Sequence, residues 1–304
     1  MEASATPLRS IVFALVLLGS LGVSGAQQSN GLVHLPLWAN EVPLAAGDAD
    51  ADKPSVDVYL PASNPTHTGV VVCPGGGYSY LSLDKEGSHA SQWLTQHGVA
   101  AFVLHYRVAP YRYPAPMLDG ERAMRLVRSR AIEFGIAQDH IGVWGFSAGG
   151  HVASFLMTHF SQSLAGQTTD AIDALSARPD FGILAYAVTS MAPGTTHPGS
   201  HQNLLGTPAD PKLEADLSNE LNVEPDSPPV FLFATSDDPV VPVSNSVLFY
   251  QAYIKQHLSA ELHVFEHGPH GVGLAEKLPG GSVWPDLLAT WMGRHGWMAV
   301  TPAR

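Results

Sequence analysis

Gly145-Phe146-Ser147-Ala148-Gly149-Gly150 sets a serine between glycines in a G-x-S-x-G spacing. The preceding Ile141-Gly142-Val143-Trp144 is an apolar run with the length of a buried strand, and Gly150 to Met157 is patterned as a helix. A serine on such a strand-to-helix turn can serve as a nucleophile. The turn lifts its hydroxyl above the sheet, and the helix N-terminus favours developing negative charge. Gly145 and Gly149 leave room for the tight backbone this requires. The hydroxyl still needs a base, an acid to orient that base, and donors for an oxyanion.

In open α/β sheets such groups gather at the carboxyl ends of strands. After the apolar run Val70 to Cys73 comes Pro74-Gly75-Gly76-Gly77-Tyr78. Successive glycines bring backbone N–H groups close to a ligand, so Gly76 and Gly77 are candidate oxyanion donors, joined by the N–H of Ala148. Tyr78 and Tyr80 follow closely enough to line the cleft, and Tyr78 is a candidate substrate contact. After Phe231 to Ala234 comes Thr235-Ser236-Asp237-Asp238-Pro239-Val240-Val241-Pro242. Asp238 is the candidate acid, because the segment after it returns to the core and leaves it on the rim. Asp237 is the alternative, with turn bracing as its other role. After Glu261 to Phe265 comes Glu266-His267-Gly268-Pro269-His270-Gly271. His270, flanked by glycines, is the candidate base and His267 its rival. The chain order Ser147, Asp238, His270 is that of the α/β-hydrolase layout.

The elements that must carry these residues alternate β and α. Strands are expected at Val56 to Leu60, Gly69 to Cys73, Val99 to Tyr106, Ile141 to Trp144, Phe181 to Val188, Pro229 to Ala234 and Glu261 to Phe265. Helices are expected at Ser88 to His97, Pro116 to Phe134, after Ser147, at Ser244 to His257 and at Val283 to His295. This alternation implies right-handed βαβ units, hence a mostly parallel central sheet with helices on both faces. Ser161 to Pro179 and Thr189 to Pro228 are long and weakly patterned, and are expected to be excursions facing the substrate.

The chain has 304 residues, 45% hydrophobic and 14% charged, with a formal net charge of −12. That composition supports a large core, and 15 basic against 27 acidic residues exclude a nucleic-acid binder. Arg9, the apolar run Ile11 to Leu18 and the small residues ending at Ala26 form the pattern of a secretory signal peptide, residues 1–26. The run is short of the about 20 apolar residues a bilayer span needs. The expectation is therefore an exported chain of residues 27–304, one catalytic domain with no membrane partner after cleavage. Its single cysteine, Cys73, forms no internal disulfide and suits a buried position. Asp48-Ala49-Asp50-Ala51-Asp52 starts like a calcium loop, but Lys53 stands where that loop needs glycine and Tyr59 where it needs glutamate. No zinc, nucleotide or dinucleotide motif is present, so no metal or cofactor is expected.

These motifs, together with Lys85-Glu86-Gly87, Tyr106-Arg107, Leu204-Leu205-Gly206 and Ser218 to Leu221, resemble the secreted α/β-hydrolase esterases related to acetylxylan esterases and feruloyl-esterase-like domains. The resemblance spans about Trp38 to Trp297 and departs from the wider esterase pattern at Pro74, where many members have histidine. It implies a serine esterase acting on an acylated carbohydrate or small ester, with acetyl on plant cell-wall carbohydrate as the expected substrate. Two other readings stand beside it. A prolyl-oligopeptidase-like peptidase would carry an extra N-terminal domain, for which only about 50 residues lie between the expected cleavage site at Ala26 and Gly75. A non-catalytic binding module on this scaffold would have lost a member of the Ser–His–Asp set.

Overall fold

A computed structural model describes residues 1–2, 32–162, 164 and 170–299. The chain divides between residues 31 and 32, and the unit from residue 32 onward holds the whole sheet. The expected signal peptide, from residue 3 on, lies outside the described residues. Among the described residues no helix is long and apolar enough to cross a membrane.

Eight strands form one sheet: β1 (Val33–Pro36), β2 (Ser55–Tyr59), β3 (Gly69–Cys73), β4 (Ala100–His105), β5 (Ile141–Phe146), β6 (Gly182–Ala185), β7 (Val230–Thr235) and β8 (Ala260–Phe265). Their order is β1-β2-β4-β3-β5-β6-β7-β8. The first three strands in that order pair antiparallel and the rest parallel. The chain lays β4 on one side of β3 and then returns to lay β5 on the other, with Cys73 in register with Gly145. The connections leaving β3 and β5 therefore diverge, and such a switch point opens a crevice at the carboxyl ends of the two strands. Strand β5 is buried along its whole length, as the apolar run demanded.

The helices are α1 (His89–Gln96), α2 (Ala115–Ser129), α3 (Ala131–Phe134), α4 (Ser147–Thr158), α5 (Pro198–Leu205), α6 (Pro211–Asp216), α7 (Ser244–Lys255) and α8 (Trp284–Arg294). Side chains of α2, α4 and α7 fill the core on one face of the sheet. Those of α1 and α8 fill the other. Within β5, Val143 points to the first core and Trp144 and Phe146 to the second. The helix expected over Pro116 to Phe134 is broken at Arg130 and ends at Gly135, whose left-handed conformation (φ 66°) is a common helix stop. Residues 170–180 do not form the expected substrate-facing excursion. Asp170, Asp173 and Asp180 instead pair with Arg122 and Arg128 of α2. The 189–228 stretch folds into α5, α6 and a short 3₁₀ turn, and it does reach the crevice.

Candidate active site

Ser147 is the first residue of α4 and follows β5 with no intervening loop. Its φ of +50° is the left-handed conformation that side chains rarely adopt, the strain expected of a sharp strand-to-helix turn. The Val188 N–H, just past β6, holds the Ser147 carbonyl at 2.9 Å. Ser147 is 6% exposed, and its hydroxyl lies in a cleft of about 380 Å³ that also exposes Gly76, Gly77, Tyr80, Glu86, His197, Asn203 and His270.

His270 closes the row. Its Nε2 is 2.8 Å from Ser147 Oγ, and its Nδ1 is 2.7 Å from Asp238 Oδ2. A carboxylate can only accept, so Nδ1 carries the proton and Nε2 is left to accept from the serine hydroxyl. The other Asp238 oxygen accepts from the N–H groups of Val240 and Val241 at 2.8 and 3.0 Å. The acid is thereby fixed by its own turn, with its side chain 2% exposed. Asp237 does something else. Its oxygens accept from the Gly268 N–H at 2.7 Å and from His267 Nδ1 at 2.8 Å, on the exposed side of the loop. Those contacts hold its carboxyl below the usual range, the Gly268 N–H most of all. The His270 loop is further tied down by Thr235 Oγ1 donating to Gly268 O and by Lys85 Nζ donating to Gly271 O.

Gly76 and Gly77 line the cleft beside Ser147, with φ of +131° and +63°. Ala148 lies in the first turn of α4, where backbone N–H groups have no carbonyl of their own helix to bond. Tyr78 is not a substrate contact. Its ring is fully buried, turned inward at a φ of +59°, and its hydroxyl is 2.8 Å from His151 Nδ1. Tyr80, mostly exposed, takes the place on the cleft wall expected of Tyr78.

The glycine loop is braced from three sides. Glu86, in a π-helical turn over Leu83–Ser88, accepts the Gly75 N–H at 2.8 Å on one oxygen and the Tyr186 O–H at 2.9 Å on the other. Burial pushes its carboxyl upward despite these donors. The Tyr106 hydroxyl donates to Pro74 O at 2.7 Å, and Asn203 Nδ2 donates to Gly77 O at 2.8 Å. Glu86 and Tyr106 thus hold the start of the loop, at Pro74 and Gly75. The Tyr186 ring also packs edge-on against His270 at 5.1 Å.

His197 caps α5, and its Nδ1 accepts from the Ser200 N–H at 3.2 Å. Because Nδ1 accepts that N–H, the ring proton is left to Nε2, and burial holds this imidazole below its ordinary value. A donor therefore lies on the cleft wall next to Gly77. His197, Asn203 and Glu86 were not singled out as site residues by motif reasoning. For Glu86 the one signal available was its place in Lys85-Glu86-Gly87.

The fold and this hydrogen-bonded row define an α/β hydrolase. The chain is similar to an acetylxylan esterase from Xylanibacter ruminicola, with 35% identity over 74% of this chain and 45% of that protein. It is also similar to endo-1,4-beta-xylanase B of Butyrivibrio fibrisolvens, with 34% identity over 73% of this chain and 35% of that protein. It thus spans less than half the length of either. The structure of an acetyl ester-xyloside bifunctional hydrolase from Caldicellulosiruptor lactoaceticus superposes with a TM-score of 0.81 at 40% identity, over 88% of this chain and 97% of that one. The BD-FAE family profile matches residues 56–253, and the chain belongs to that family.

Proposed function

We propose that the chain is a secreted serine carboxylic-ester hydrolase that removes short acyl groups, acetyl foremost, from plant cell-wall carbohydrate. The observation that carries the chemistry is the continuous row from Ser147 through His270 to Asp238. The names of the acetylxylan esterase and the acetyl ester-xyloside hydrolase support the substrate. The signal-like N-terminus supports export. In this reading His270 Nε2 takes the Ser147 proton as Oγ attacks the ester carbonyl. Asp238 holds the imidazole in register and stabilises its cation. The N–H groups of Gly76, Gly77 and Ala148 receive the oxyanion. As the intermediate collapses and its bond to the sugar oxygen breaks, His270 hands the proton to that oxygen, which leaves as a hydroxyl, and water hydrolyses the acyl-enzyme through the same base.

The site does not favour cleavage of the glycosidic bond itself, which uses two carboxyl groups facing that bond. Among the described cleft-lining residues Glu86 is the one carboxylate, and both its oxygens are engaged. Acetate release from acetylated xylo-oligosaccharides and turnover of short aryl esters test the proposal. Ser147→Ala should lower both by about 10³-fold or more, and aryl xylosides should not be cleaved. Ester turnover that survives Ser147→Ala overturns the mechanism. Aryl-ester turnover without acetate release from the oligosaccharides overturns the substrate alone.

A further inference from the structure

The antiparallel edge of the sheet carries a second cluster of chemistry-bearing side chains, outside the cleft. His34 on β1 stands directly opposite Asp57 on β2, and His105, the last residue of β4, stands opposite Ser55. Positions two apart on a strand share a face, so His34, Asp57 and His105 project from the same side of three neighbouring strands. Asp57 is in the middle, with Oδ1 2.7 Å from His34 Nδ1 and Oδ2 2.8 Å from His105 Nε2. One ligand atom from each residue lies within 4.8 Å of those of the other two. The two imidazole rings meet edge to face at 5.4 Å.

We propose that His34, Asp57 and His105 form a site for a divalent transition cation, zinc foremost. Two imidazole nitrogens and a carboxylate oxygen are a borderline donor set that zinc accepts readily. Calcium and magnesium require six or more oxygens. Backbone pairing fixes the relative positions of the three Cα atoms, so the scaffold is rigid before any ion arrives. Zinc bonds of about 2.0–2.2 Å in tetrahedral geometry separate ligand atoms by about 3.3 Å. The hydrogen-bonded pairs would part by about half an ångström, and the remaining ligand atoms, within 4.8 Å of one another, would draw together by at most about 1.5 Å. Both nitrogens now donate to the carboxylate, and a cation there requires each proton to shift to the other nitrogen of its ring. Both rings reach solvent, with 58% of the His34 side chain and 25% of that of His105 exposed, so that exchange is open to them. Solvent would complete the coordination. The bound ion would pin β1, the edge strand, to both β2 and β4, and would stabilise the fold by mass action.

The test uses the full chain, stripped with a chelator and titrated with zinc chloride by calorimetry. The expected result is one equivalent bound at this site. Affinity should fall about ten-fold or more in His34→Ala or His105→Ala, with no equivalent left in the double variant. Retained ester turnover shows that the variants are folded. Zinc should raise the thermal midpoint of the wild type and not that of the double variant. Cobalt(II) should give the absorption of a tetrahedral site in the wild type alone. Zinc held instead by His270 and His197 in the cleft would block ester turnover and survive the double variant. That outcome, or no bound equivalent in the wild type, overturns the proposal.

Discussion

Asp237 and Asp238 are adjacent and chemically identical, yet their partners give them different work. Asp238 meets His270 Nδ1, while Asp237 meets Gly268 and His267 on the exposed side of the loop. Asp238→Asn should lower kcat by about 10⁴-fold, the cost of offering His270 the wrong tautomer. Asp237→Asn should stay within a few-fold. Comparable losses from the two would overturn the assignment. Glu86 touches none of the reacting atoms and acts through the Gly75 N–H. Glu86→Ala should therefore lower kcat while leaving KM nearly unchanged, and Glu86→Gln, whose amide oxygen can still accept that N–H, should recover most of the loss. A change confined to KM would remove the positioning role. That Ser147, Asp238 and His270 would meet in one row was legible in the sequence, because each follows a strand inside a motif. Tyr78 was misread because three glycines precede it and its side chain turns with a backbone angle no pattern reports. The role of Glu86 was not legible because its partners lie 11 and 100 residues away in the chain.

Among the elements, α4 does more than carry Ser147. His151, one turn in, donates from Nε2 to Leu217 O at 2.8 Å and accepts the Tyr78 hydroxyl on Nδ1. One buried imidazole thus joins α4, the segment after α6 and the glycine loop. Burial holds it down at about 4 against an ordinary 6.5. A basic group depressed on folding adds stability that is present above pH 6.5 and is lost as the pH falls through 4. The amount is on the order of 3 kcal/mol. Urea unfolding at pH 7 and pH 4 should show a smaller loss in His151→Gln, which offers the same two contacts without a proton to gain. Equal losses would clear His151 of that role. Most strands of the sheet and helices α1, α7 and α8 were legible, because their apolar periodicities are strong. Strand β1 was not, because its four residues are largely exposed. Helices α5 and α6 were not, because eight and six residues are too few for a helical stripe to stand out.

At the scale of the molecule, one sheet separates two cores and the cleft sits where its winding changes direction. The smaller core relies on aromatic packing. Trp284 of α8 stacks on Phe233 at 4.6 Å and meets Trp144 edge-on at 5.8 Å. Trp144 lies on β5, the strand that leads into Ser147. Trp284→Ala should cost about 3–5 kcal/mol in urea unfolding, and a loss below about 1 kcal/mol would show that this face tolerates a void.

The glycines of the serine turn belong to packing before they belong to chemistry. A side chain at Gly149 would run into the carbonyls of Cys73 and Pro74, and one at Gly145 into Gly149 O and the Ala153 methyl. Selection for folded expression alone would therefore keep both glycines while releasing position 147. A library of all three positions, sorted for display and not for turnover, should return glycine at 145 and 149, and at 147 glycine and asparagine, which suit its left-handed backbone, in place of serine. Lineages that abandon catalysis would then still wear most of the hydrolase signature, and Ser147, His270 and Asp238 are the positions that would tell the two apart.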